Sequence, residues 1–128
     1  MIINPDNPTG MVYPKDVILE LLQSARYNAL FIISDEIYTK ITYNGARAYS
    51  LSELISDVPG IAMKGMSKEL PWPGSRCGWL EFYNRTKDPE FNRLCRTLDD
   101  AKMIEVCSTT LPQLALPLIL QHPEFETH

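Results

Sequence analysis

Leu30-Phe31-Ile32-Ile33-Ser34-Asp35 is a short, continuous apolar run that ends in two polar residues. A strand buried on both faces of a parallel sheet reads this way. Working upstream, Asn28 is a stop signal, and before it Val17, Ile18, Leu21, Leu22 and Ala25 recur at the spacing of one helical face, with Pro14 opening the helix. Ile2 and Ile3 then read as the end of a first strand. Strand, helix and strand in that order form a βαβ unit, which predicts an α/β fold with a mostly parallel sheet.

Downstream, residues 39–59 read as a loop holding a short helix at 51–55 and closed by Pro59 and Gly60. Residues 61–66 are the next strand candidate. The segment 67–76 contains Pro71, Pro73 and Gly74 and is expected to be irregular, and 79–83 then alternates apolar and polar as a further strand would. Asp88-Pro89 is a helix start, with Asp as cap and Pro in the first turn. Phe91, Leu94, Cys95, Leu98, Ala101 and Ile104 continue that helix on one stripe, and Pro112 begins a further helical piece. The sequence shows no internal repeat, low-complexity tract or linker, so residues 1–128 are expected to form one domain.

Composition excludes several classes of function. A chain of 128 residues that is 45% hydrophobic and 22% charged has the balance of a globular domain. The net charge of −4 comes without a basic cluster, so nucleic acid is not an expected partner. Cys77, Cys95 and Cys107 are odd in number and form no C-x-x-C pair, which argues against a disulfide framework and a zinc site and fits a cytoplasmic protein. The N-terminus lacks the pattern of a secretory signal, and the apolar stretch 114–120 is too short for a bilayer span of about 20 residues and contains Pro117.

Ligands of open α/β sheets bind beyond the carboxyl ends of the strands. Polar residues from three separate segments fall there: Asn7 after the first strand, Asp35 at the end of the second, and Ser67-Lys68 after the third. Each has a plain structural reading when taken singly. Residues 4–10 are rich in turn residues, Asp35 can cap the next segment, Tyr38 can pack in a core, and Lys68 and Arg76 can be solvated charges. Trp72 and Trp79 read as packing residues, Ser108 to Thr110 as a helix cap, and His122 and His128 are assigned no role.

Taken together, the segments are more specific. Asn4-Pro5-Asp6-Asn7-Pro8-Thr9-Gly10 resembles the N-P-x-N-P-T-G signature of class I aminotransferases, Asp35-Glu36-Ile37-Tyr38 resembles their D-x-x-Y element, and Ser67-Lys68 with Arg76 resembles their S-K…R element. All three occur in the family's order. The resemblance implies a piece of the three-layer α/β/α large domain of the fold type I enzymes that use pyridoxal 5′-phosphate.

By that resemblance, Lys68 is the Schiff-base lysine and proton carrier, a role suited to an amine whose basicity its surroundings lower. Asp35 is the carboxylate that keeps the pyridine nitrogen protonated. Asn7 and Tyr38 hold the phenolic oxygen, and Arg76 with the Ser67 hydroxyl holds the phosphate. Gly65 stands three residues before the lysine, where many members have Ser or Thr, which leaves its backbone N–H for the phosphate.

The implied reaction moves an amino group between an amino acid and a 2-oxo acid. The same residues would also serve β-elimination, decarboxylation or a non-catalytic cofactor-binding module. The family's ring-stacking aromatic and carboxylate-gripping arginine come from segments outside residues 1–128, so little activity is expected from this chain alone. Uncovered sheet edges and helix faces make a homo-oligomer the expected state.

Overall fold

The computed structural model describes residues 1–70, 72–105 and 108–122, so Cys107 and His128 lie outside the described residues. The expected βαβ unit is present, as β1 (Ile2–Ile3), α1 (Lys15–Tyr27) and β2 (Ile32–Asp35). A short α2 (Leu51–Leu54), β3 (Gly60–Gly65), β4 (Gly78–Tyr83), α3 (Pro89–Met103) and α4 (Thr110–Leu120) follow. The four strands lie side by side in chain order, with β1, β2 and β3 parallel and β4 antiparallel to β3.

The pleat sorts the strand residues into two layers, since neighbours along a strand point to opposite faces. On one face Ile32, Ala62 and Tyr83 meet Ile18, Leu22 and Ala25 of α1 and Leu51 and Ile55 around α2. On the other face Ile33, Ile61 and Phe82 meet Phe91, Leu94, Cys95 and Leu98 of α3. The register agrees, with Ile33 opposite Ile61 and Ile61 opposite Phe82. Helices therefore cover both faces of a mostly parallel sheet, the three-layer α/β/α arrangement.

The boundaries shift for local reasons. Strand β2 begins at Ile32, two residues later than the apolar run suggests. The Leu30 N–H donates to the Ala25 carbonyl at 2.8 Å and still belongs to the end of α1. Phe31 packs against Phe91 with the rings tilted and their centroids 5.2 Å apart. Asp88 caps α3 by accepting the Phe91 N–H at 2.7 Å, as its position before Pro89 predicts. The apolar stripe of α3 extends past its cover, because Ala101 and Ile104 are exposed. No described helix is long and apolar enough to cross a membrane.

Candidate active site at the carboxyl edge of the sheet

Three chain segments reach the carboxyl edge of β1, β2 and β3. The first, residues 4–10, is folded on itself. The Gly10 N–H donates to the Asp6 carbonyl and the Asp6 N–H to the Met11 carbonyl, both at 2.8 Å. Gly10 sits at φ +72°, a conformation that glycine adopts without steric cost. Asn4 ties this loop down, because it is buried, its Oδ1 accepts the Tyr13 N–H at 2.9 Å and its own N–H donates to the Asp35 carbonyl at 3.2 Å.

The second segment is the turn after β2. The Asp35 carboxylate accepts the Ile37 N–H at 3.1 Å, which orders the start of this turn. Thr39 Oγ1 and the Thr39 N–H both donate to the Glu36 carbonyl, at 3.0 and 3.2 Å, and the Ile41 N–H donates to Tyr38 at 2.8 Å. The third segment, residues 66–70, is a bend after β3 that carries Ser67, half-buried, and Lys68, exposed.

These elements bring three of the expected residues together. Asn7 Nδ2 donates to the Tyr38 hydroxyl at 3.4 Å, and Lys68 Nζ lies 5.9 Å from the centroid of the Tyr38 ring. An amide, a phenol and an amine thus face one another, and Asp35 lies at the end of β2, paired in register with Met63 of the strand that leads to Lys68. Arg76 is placed differently. It occupies the left-handed region at φ 51°, donates from Nη1 to the Pro73 carbonyl at 3.5 Å and lines a groove of about 670 Å³ with Trp79, Asp99 and Lys102. Asn7 and Tyr38 line a separate groove of about 510 Å³.

The place of Gly65 has a packing reason. A Cβ there would lie 3.0 Å from Ile37 Cδ1 and 3.2 Å from the Cys77 carbonyl oxygen, so the Ile37 side chain occupies the room that a larger residue would need. Trp79 is fixed by a bond from Nε1 to Glu81 at 3.1 Å, in keeping with a packing role, whereas Trp72 is partly exposed. Ser108 Oγ accepts from Lys102 Nζ at 2.7 Å, which ties the end of α3 to the start of α4.

Sequence reading passed over a charged cluster beneath this site. Glu36 is buried, its Oε1 accepts the Leu51 N–H at 2.5 Å and its Oε2 faces Lys64 Nζ at 3.6 Å. Lys64 also pairs with Glu81 at 3.1 Å, and Glu81 accepts the Tyr83 hydroxyl. Burial pushes the Glu36 carboxyl above the ordinary range against the pull of Leu51 and Lys64. Burial also acts on Glu81, but bonds from Tyr83, Trp79 and Lys64 outweigh it and hold that carboxyl low. The signal was present in the sequence: a lysine inside the strand candidate Ile61-Ala62-Met63-Lys64-Gly65-Met66 needs a charged partner.

Comparison with known proteins decides the family. The model of aminotransferase classes I and II matches residues 1–127. The chain belongs to the class I and II aminotransferases. An uncharacterised aminotransferase of Methanocaldococcus jannaschii is 53% identical over all 128 residues, which make up 30% of that relative. The glutamate–pyruvate aminotransferase of Escherichia coli is 44% identical over 80 residues, 62% of this chain and 20% of that relative. Among solved structures, the alanine aminotransferase of Pyrococcus furiosus superposes with a TM-score of 0.86 at 34% identity, over 97% of this chain and 31% of that one. This aminotransferase chain therefore spans about a third or less of the length of these relatives.

Proposed function

We propose that this chain is the cofactor-binding part of a pyridoxal 5′-phosphate-dependent aminotransferase that moves an amino group between an amino acid and a 2-oxo acid. The observation that carries the reading is the convergence of Asn7, Tyr38 and Lys68, with Lys68 Nζ 5.9 Å from a phenol ring whose oxygen Asn7 holds. The donor set fits the cofactor: an amine for its aldehyde, a phenol and an amide for its phenolic oxygen, and a carboxylate for its ring nitrogen. When bound, the cofactor supplies an aldehyde for the amino group and a protonated ring that draws electrons from the substrate α-carbon.

The residues of the chain divide the remaining work. Lys68 Nζ would provide the covalent anchor and, once released, would take the proton from the substrate α-carbon as general base and deliver it to the cofactor side as general acid. Asp35 balances the positive charge of the protonated ring nitrogen. Tyr38 and Asn7 orient the ring through its oxygen. Ser67 and Arg76, near the two ends of the segment between β3 and β4, are assigned to the phosphate, which suits a hydroxyl and a guanidinium fork. Relatives named for amino transfer support this chemistry over elimination or decarboxylation. We place the complete protein in the cytoplasm as a homo-oligomer. Exposed Leu111, Leu114 and Leu118 on α4 support the assembly.

Incubation with pyridoxal phosphate, borohydride reduction and peptide mapping tests the assignment. The expected result is a covalent adduct on Lys68 that is lost in Lys68→Ala. An adduct of equal yield in that variant overturns it.

A further inference from the structure

We infer that Glu69 is a positioning residue, whose carboxylate pins the turn carrying Tyr38 to the bend carrying Lys68 and so sets how the phenol faces the amine. The inference rests on the reading of Lys68 as the cofactor-bearing lysine. Glu69 Oε1 accepts the Lys40 N–H at 2.7 Å, and Glu69 belongs to none of the motifs that point to the site.

The connectivity makes this bond effective. Glu69 is the next residue after Lys68, and Lys40 is two residues after Tyr38. The Tyr38 turn closes on itself through the N–H groups of Thr39 and Ile41, whereas that of Lys40 is directed out of the turn onto Glu69. A short loop of covalent bonds, closed by one charge-assisted hydrogen bond, therefore spans the 5.9 Å between the Tyr38 ring and Lys68 Nζ. The other end of the turn is held separately, by Glu36 on Leu51. Without Glu69 the hydrogen bond from the Tyr38 turn to the Lys68 bend is lost, although each keeps its own internal bonds.

Burial raises the Glu69 carboxyl above the ordinary range, partly offset by the Lys40 N–H that it accepts. A half-buried carboxylate kept at this cost is consistent with one that has a fixed partner. The cofactor-bearing amine must meet its aldehyde in a narrow range of geometries, so slack of this kind lowers the rate of attachment.

The test compares the full chain with Glu69→Ala and Glu69→Gln, the second of which keeps a carbonyl oxygen for the Lys40 N–H. Two readouts need no cofactor: amide hydrogen exchange at Lys40, and the NMR shift of the Lys68 ε-methylene, which the Tyr38 ring current displaces. In Glu69→Ala, Lys40 exchange is expected to rise about tenfold or more, the usual scale for losing a hydrogen bond to a charged group. The Lys68 resonance is expected to move toward its value in Tyr38→Leu. Attachment of pyridoxal phosphate at Lys68 should slow about tenfold while the unfolding midpoint hardly moves, and Glu69→Gln should recover most of each change.

Unchanged Lys40 exchange or an unmoved Lys68 resonance in Glu69→Ala overturns the inference, as does faster exchange with an unaltered attachment rate. If the wild type forms no adduct on Lys68 while both NMR readouts respond, the cofactor reading falls and the link between Glu69 and the Tyr38 turn stands.

Discussion

The Glu36 carboxylate accepts the backbone N–H of Leu51 at 2.5 Å, and so joins the end of β2 to the first turn of α2. Both residues are buried, and α2 is only four residues long. So short a helix has little stability of its own. Besides the local capping box of Ser50 and Glu53, tertiary contacts hold it: Leu51 and Ile55 in the core beside α1, and the Glu36 acceptor for the N–H at its start.

Removal of that acceptor should therefore be costly. Glu36→Ala leaves the Leu51 N–H and the Lys64 ammonium without it, and the expected loss is about 1–3 kcal/mol in urea unfolding. Glu36→Gln retains an oxygen for Leu51, and Lys64 retains Glu81, so its loss should be clearly smaller. Equal losses in the two variants would mean that packing volume, and not the bond to Leu51, is what Glu36 contributes.

The same residue gives a pH dependence of definite sign. Burial raises its carboxyl in the native state, whereas in the unfolded chain it titrates near the ordinary value of about 4.3. Between those two values the native state holds the proton more tightly than the unfolded state. Stability therefore falls as pH rises through that window. Glu36→Gln lacks this titration, so the stability of the wild type relative to Glu36→Gln should decline from about pH 4 toward neutrality. A relative stability that rises over the same range would show that Lys64 outweighs burial.

Much of this architecture is legible because its signals are local. The Asp88-Pro89 start of α3, the apolar face of α1 and the turn bonds within residues 6–11 each depend on neighbours within a few positions. Asn7, Tyr38 and Lys68 are picked out by resemblance to family motifs, and the structure places them near one another. What stayed hidden is the division of labour between adjacent residues. Asp35 and Glu36 are both carboxylates, and nothing local says which one turns toward α2 and which accepts the Ile37 N–H of its own turn. That depends on strand register and on Lys64 from β3, a contact between residues 28 apart in the chain. Glu69 was missed for a similar reason, since its partner is a backbone N–H 29 residues away and leaves no mark on side-chain composition.

Gly65 is where packing and cofactor chemistry make opposite predictions. If the position lacks only a phosphate-binding hydroxyl, Gly65→Ser should strengthen retention of pyridoxal phosphate on Lys68. Packing argues the reverse. The new Cβ would approach Ile37 Cδ1 to 3.0 Å and the Cys77 carbonyl oxygen to 3.2 Å, and the backbone oxygen cannot swing away as a side-chain end can. Ile37 must then move, and it directly precedes Tyr38, whose hydroxyl accepts from Asn7. Overpacking of this kind costs about 1–3 kcal/mol. The expected outcome is a lower unfolding midpoint together with less reduced adduct on Lys68 at limiting cofactor. A gain in adduct from Gly65→Ser would show that the hydroxyl outweighs the displaced Ile37, and that the site tolerates movement of the Tyr38 turn.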